Sequence, residues 1–163
     1  MAARNAARVL DLTGFHQYEM DPAVMTLVSV YQYFIGNTDW SLSALHNITL
    51  LSDADSRFLP VPYDFDWSGV VDARYAAPHP RLGTRSVRDR VFISGCLTEA
   101  ELEPVMELFR ARRDTVYALY RQQAGLEAKT VERTLEYFDD FFETIDDPKS
   151  FKREFVRGCP ADE

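Results

Sequence analysis

Lysine is nearly missing from this chain: the 18 basic residues include Lys only at positions 129, 149 and 152, all near the C-terminal end. A phosphate grip built on a lysine in the first 128 residues is therefore excluded. Acids outnumber bases, and the formal net charge of −8 argues against nucleic acid as a partner, because backbone phosphates are held by clustered Lys and Arg. Cysteine is scarce too. Cys96 and Cys159 stand far apart with no second pair near either, which excludes a disulfide framework and a thiolate zinc site. No apolar run reaches the roughly 18 residues that a membrane span needs, and the N-terminus lacks the apolar core of a signal peptide. The expected location is the cytoplasm, with no membrane partner. There is no internal repeat and no low-complexity tract.

What is present points to a folded domain. The 163 residues are 46% apolar and 13% aromatic, well above the composition of a disordered chain. A chain of this length is expected to form one domain that buries about two-thirds of its unfolded surface.

Residues 1–20 commit to little: 1–8 are Ala/Arg-rich and read as a frayed helix, and 14–16 read as loop. The first firm element follows. Asp21 is a good N-cap, Pro22 suits the first helical position, and Met25, Leu27, Val28, Tyr31, Phe34 and Ile35 recur at helical spacing up to a stop at Gly36. A loop then leads to two strands, at 48–51 and 58–61, joined by a four-residue Asp/Ser turn as in an antiparallel hairpin. Pro60 and Pro62 cannot donate to a ladder, so the second strand should be short or at an edge. Residues 70–97 are irregular and hold Arg85, Arg88 and Arg90.

Residues 98–157 read as helical. Thr98 and Glu101 form a capping box, and Val105, Met106, Leu108, Phe109, Val116, Leu119 and Tyr120 make an apolar stripe. Pro104 should start or kink that helix, and Gly125 should end it. A second helix over 129–145 carries Val131, Leu135, Phe138, Phe141, Phe142 and Ile145, and Pro148 closes it. A short helix over 150–156 leads to a polar tail. The fold class expected is mostly α (α+β), a helical domain with one small antiparallel hairpin.

The chemistry concentrates in residues 36–69. Asp39 sits in a loop, Asn47 enters the hairpin, and Asp64 and Asp66 leave it, so their side-chain oxygens are expected at one end of the hairpin. Hard oxygen donors of this kind suit Mg²⁺, which takes one or two protein carboxylates and keeps its other positions for water and substrate phosphates. The bland reading makes Asp39 a turn cap, Asn47 a strand-entry bonder and His46 a structural hydrogen-bonder. A solvated Asp64-Phe65-Asp66 loop is disfavoured, because two acids flanking an aromatic are costly to keep without a cation. The Arg85, Arg88 and Arg90 group reads either as a phosphate or substrate contact or as a surface ion-pair cluster.

Leu45-His46-Asn47-Ile48-Thr49-Leu50-Leu51 and Pro62-Tyr63-Asp64-Phe65-Asp66 resemble the L-H-N-x-x-L-x and P-x-D-F-[ND] motifs of the CotH spore-coat kinases, an atypical branch of the protein-kinase-like folds. The resemblance covers residues 21–69. It implies the C-terminal lobe of a kinase that uses ATP and Mg²⁺ to phosphorylate a hydroxyl acceptor. Asp39 would then orient or deprotonate the acceptor, Asn47 and Asp64 would be metal ligands, and Asp66 an auxiliary acid. Two features depart from that pattern. Seven residues separate Asp39 from Asn47, where ordinary protein kinases have four. The glycine-rich cover and phosphate-binding Lys of an N-terminal lobe have no counterpart here, so that lobe is expected to be absent or encoded elsewhere. Two other readings use the same residues: a DxD metal-dependent glycosyltransferase built on Asp64 and Asp66, and a non-catalytic, degenerate kinase-like binding module.

Overall fold

The computed structural model describes residues 7–156. Internal contacts divide the chain into two compact units, Met1–Gly95 and Cys96–Glu163. The class is mostly helical with a small antiparallel sheet.

The first unit contains strand β1 (Arg8–Leu10), a 3₁₀ turn (Gln17–Glu19), helix α1 (Pro22–Ile35), and strands β2 (Ile48–Ser52) and β3 (Phe58–Pro62). Helix α1 is bounded by local chemistry. The Asp21 carboxylate accepts from the Val24 amide at 3.1 Å with Pro22 at the first position, a cap that contributes about 1 kcal/mol. At the other end Gly36 adopts φ +66°, and the Gly36 and Asn37 amides donate back to Tyr33 and Gln32. This reversed pair of bonds is a Schellman stop, which requires the left-handed backbone that glycine takes without steric cost. The Arg90 guanidinium donates to the last carbonyls of α1, those of Tyr33 at 3.1 Å and Phe34 at 3.3 Å.

The sheet runs β1-β2-β3, both pairs antiparallel. Both prolines of the second hairpin strand lie in β3, an edge strand, as the ladder requires. The turn is held by Asp53, which accepts from the amides of Asp55 and Arg57 and from the Arg57 guanidinium. Strand β1 corrects the expected frayed helix: Arg8 to Leu10 pair with Ser52 to Leu50, and residues 1–6 of that expectation lie outside the described residues. Met20, Met25, Val28, Trp40, Leu42, Ile48 and Leu50 form the core of this unit, with Phe15, Leu45, Phe58 and Ile93 packed against it.

The second unit comprises α2 (Glu99–Gln122), α3 (Ala128–Asp146), α4 (Pro148–Phe151) and a π turn (Lys152–Val156). Thr98 and Glu101 form the expected capping box. Pro104 neither starts α2 nor ends it; the helix begins at Glu99 and runs through it. The buried face of α2 is Leu102, Val105, Met106 and Tyr117, whereas Leu108 and Leu119 of the expected stripe are exposed. On α3 the buried residues are Thr134, Tyr137, Phe138, Phe141, Phe142 and Ile145. Aromatic rings join the two helices, with Phe109 at 5.3 Å from Phe141 and Tyr120 at 5.2 Å from Phe138. Pro148 opens α4 under an Asp147 cap, and the expected helix over 150–156 is divided between α4 and the π turn. The expected polar tail lies outside the described residues.

Candidate active site

Asp39 is positioned from α1 through one buried amide. Asn37, 1% exposed, donates to the Gln32 Oε1 at 3.1 Å and accepts from the Asp39 backbone amide at 3.0 Å. The helix stop at Gly36 and this side chain together fix where the Asp39 carboxylate begins. Its two oxygens are then divided. Oδ1 meets His46 Nε2 at 3.0 Å, and Oδ2 accepts from Asn47 Nδ2 at 3.0 Å.

The long spacing between Asp39 and Asn47 is absorbed within the loop itself. Ser41 and His46 form an isolated antiparallel bridge, each amide donating to the other's carbonyl at 2.9 Å. That bridge pinches off residues 42–45 as a closed turn, with Leu45 at φ +49°. Asn47 is thereby returned to Asp39, and its Nδ2 also donates to the Asp39 carbonyl at 2.8 Å. Both contacts commit the Asn47 amide nitrogen to Asp39.

Asn47 also registers the far side of the hairpin. Its carbonyl accepts from the Tyr63 amide at 3.0 Å, one residue before Asp64. Both Asn47 and Asp64 sit in the left-handed region, at φ +53° and +55°. Such backbone is costly for a residue with a Cβ, and Asn and Asp are the types that tolerate it best. The chain then turns back to α1. Phe65 packs edge-on against Tyr31 at 5.6 Å, and the Gly69 and Val70 amides donate to the Gly36 and Ile35 carbonyls, each at 3.0 Å. The Asp64-Phe65-Asp66 loop is thus tied to the helix end from which Asp39 departs.

The acids interact. The Asp64 carboxyl is pushed above its ordinary value chiefly by the hydrogen-bonded Asp66 carboxyl beside it and that group's charge, with the Asp39 charge adding in the same direction. Two acids this close share a proton or attract a cation. Asp66 Oδ2 accepts from the Tyr75 hydroxyl at 2.9 Å, and that contact raises the Tyr75 phenol.

Sequence reasoning placed Asp39, Asn47, Asp64 and Asp66 at one end of the hairpin; in the structure Asp39 is hydrogen-bonded to Asn47, Asp64 lies beside Asp66, and the two pairs flank the paired strand ends Ile48 and Pro62. It missed Asn37 and Tyr75. A Gly-Asn-Thr-Asp stretch after a helix was a signal for Asn37; Tyr75, nine residues beyond Asp66 in an irregular loop, gave none. The arginines lie elsewhere. Arg90 is used at the end of α1, Arg88 donates to the Gly69 carbonyl at 3.2 Å and approaches Asp72 at 4.0 Å, and Arg85 is exposed, with its amide on Asp89 Oδ2 at 2.7 Å.

Among the described residues no group of three or more His, Cys, Asp or Glu side chains could hold a metal ion. The donor set here is smaller, the two adjacent carboxylates of Asp64 and Asp66, both hard. It fits Mg²⁺, which keeps several waters and takes only one or two carboxylates from the protein. Among the described residues no helix is long and apolar enough to cross a membrane.

No protein-family model matches the chain, and neither the curated proteins nor the solved structures contain a match to it.

Proposed function

We propose that the unit Met1–Gly95 carries the catalytic face of a phosphotransferase that moves the γ-phosphoryl group of ATP to a hydroxyl acceptor. The observation that carries this reading is the convergence of Asp39, Asn47, Asp64 and Asp66 on one end of the hairpin, with the Asp39 carboxylate held on both oxygens. In the step, the acceptor oxygen bonds the γ-phosphorus as the bond from that phosphorus to the β-bridging oxygen breaks. ADP leaves with that electron pair, and Asp39 receives the hydroxyl proton. Phosphoryl transfer asks a protein mainly for placement and charge stabilisation, which suits a small, rigid set of oxygens. Asn47 Oδ1, Asp64 and Asp66 would hold Mg²⁺, whose bound charge would offset that of the phosphates. His46 and Asn47 act through Asp39 as positioning residues. The phosphate cover is assigned to a separate N-terminal lobe, and the reaction to the cytoplasm.

A second reading is favoured by the lack of lysine before position 129: a degenerate kinase-like module that keeps the fold and binds metal or a partner surface without transfer. Calorimetric titration of Mg²⁺ and ATP into the wild type and Asp64→Ala tests both. Metal-dependent ATP binding lost in the variant supports the site, and turnover to ADP with a hydroxyl acceptor separates transferase from module. Preference for a sugar nucleotide would move the reading to a DxD glycosyltransferase, and absence of any metal-dependent nucleotide binding would end it.

A further inference from the structure

The turn that holds Asp39 and His46 also forms one wall of a separate cleft of about 250 Å³. Trp40, Ser41, Leu42 and Ser43 contribute from the turn, and Phe15, His16, Gln17 and Ile93 complete the lining. We propose that this cleft holds a neutral polyhydroxylated molecule of monosaccharide size, and that such a molecule is the hydroxyl acceptor; the second half of this statement rests on the phosphotransferase reading above.

Three observations carry it. The lining contains no Asp, Glu, Lys or Arg, so no permanently charged side chain in it compensates a charged ligand, and transfer of an uncompensated charge from water is strongly unfavourable. Its chemistry is mixed: Phe15, Trp40, Leu42 and Ile93 offer apolar surface, while Ser41, Ser43, Gln17 and His16 carry hydrogen-bonding groups. A sugar presents the matching combination of C–H faces and hydroxyls. The volume lies below the roughly 300 Å³ at which pockets for drug-sized ligands begin, which suits a single ring. The third observation is independent of the lining as a whole. Trp40 is 7% exposed, and its indole Nε1 is buried without an acceptor. A buried donor without a partner is costly, and Trp40 is one of the residues that line the cleft. The serine hydroxyls lie 3.3 Å apart, and Ser41 Oγ accepts from the Ala44 amide at 3.2 Å, so the pair is already ordered.

The test uses the full chain carrying Trp67→Phe, which leaves Trp40 as the one tryptophan. Titration with D-glucose and myo-inositol, followed by Trp40 fluorescence and by saturation-transfer NMR on the ligand, should give saturable binding. Ser43→Ala, at an exposed position, and the double variant Ser41→Ala/Ser43→Ala should weaken it, the double variant by about tenfold. Glucuronate and glucosamine should bind at least about tenfold more weakly than glucose. No saturable binding of either neutral probe, binding unchanged in the serine variants, or equal binding of the charged analogues would overturn the proposal. Hexose binding without Mg²⁺-dependent ATP binding would uphold the cleft and remove its acceptor role. ATP binding without hexose binding would overturn the cleft alone.

Discussion

The two units are built on different physics. Of the seven buried polar residues among those described, Thr26, Ser29, Gln32, Asn37, Ser52 and Ser68 lie in the first unit and Thr134 in the second. Among the described residues the five non-glycine positions with positive φ (Leu45, Asn47, Ser56, Asp64 and Asp72) belong to the first unit as well, as do the buried polar atoms without partners on Ser29, Gln32, Trp40 and Ser68. The second unit is instead a pair of long helices joined by rings, with Arg110 paired to Glu103 and Asp146 along its side. Strain and unpaired polar groups persist only where the surroundings over-determine them, and they concentrate at sites of function. The contrast therefore supports placing the proposed chemistry in the hairpin unit, with the helices in a packing role.

The largest effect that would sharpen this contrast is a core truncation in the helical unit. Phe141 is fully buried and touches both Phe109 and Phe142. Phe141→Ala should destabilise the helices by about 3–5 kcal/mol, read from urea unfolding. Metal and nucleotide binding to the folded fraction should be retained; equal loss of binding would break the division of labour. Next in size is Asn37→Ala in the hairpin unit. It removes both the anchor of the Asp39 amide and the donor to the buried Gln32 oxygen, and should cost about 2 kcal/mol in stability together with most of the proposed transferase activity. A drop in stability with unchanged activity would show that the loop keeps its shape without this amide.

A third substitution carries the opposite sign. Asp64 holds a left-handed backbone beside another acid. Asp64→Gly relieves the backbone cost and the like-charge contact, so the hairpin unit should gain up to about 1 kcal/mol while Mg²⁺ binding is lost. A stabilised variant that no longer binds metal is the signature of a residue kept for function. Loss of stability instead would mean that Asp64 serves the fold.

The same contrast explains which parts were legible in the sequence. Asp21-Pro22, Gly36 and the Thr98/Glu101 box are read within a few residues, because caps satisfy the helix ends nearest them. The hairpin and its edge prolines were equally local. Strand β1 was invisible, since three residues carry no period and Arg8-Val9-Leu10 gains strand geometry only by pairing with β2, some forty residues away in sequence. The site divided along the same line. Asn47, Asp64 and Asp66 follow from where the hairpin begins and ends. The fit of Asp39 depends on the Ser41–His46 bridge, which no spacing rule supplies, and Tyr75 arrives from a loop without periodicity. The helix stripes were half right, because period alone does not say which of two adjacent faces is covered: Leu108 and Leu119 are exposed where Leu102 and Tyr117 are buried.

The smallest expected effect is a pH dependence confined to the helices. Burial and the Asp139 carboxylate push the Tyr117 phenol up to about 12, against the lowering influence of Arg113. Tyr117 donates to Asp139 Oδ1 at 2.6 Å, and Arg113 shares that oxygen at the same distance. An acid whose folded value exceeds its unfolded value of about 10 binds more protons folded than unfolded between those two values. Its contribution is therefore complete below pH of about 10 and is lost as pH rises toward about 12. Alkaline unfolding of the second unit, followed by tyrosinate absorbance and far-ultraviolet dichroism, should show that loss. Tyr117→Phe should flatten the dependence at the cost of one hydrogen bond at neutral pH. An unchanged alkaline slope in the variant would mean that the phenol is ionised as readily folded as unfolded, and would remove this polar contact from the account of how the rings hold the helices together.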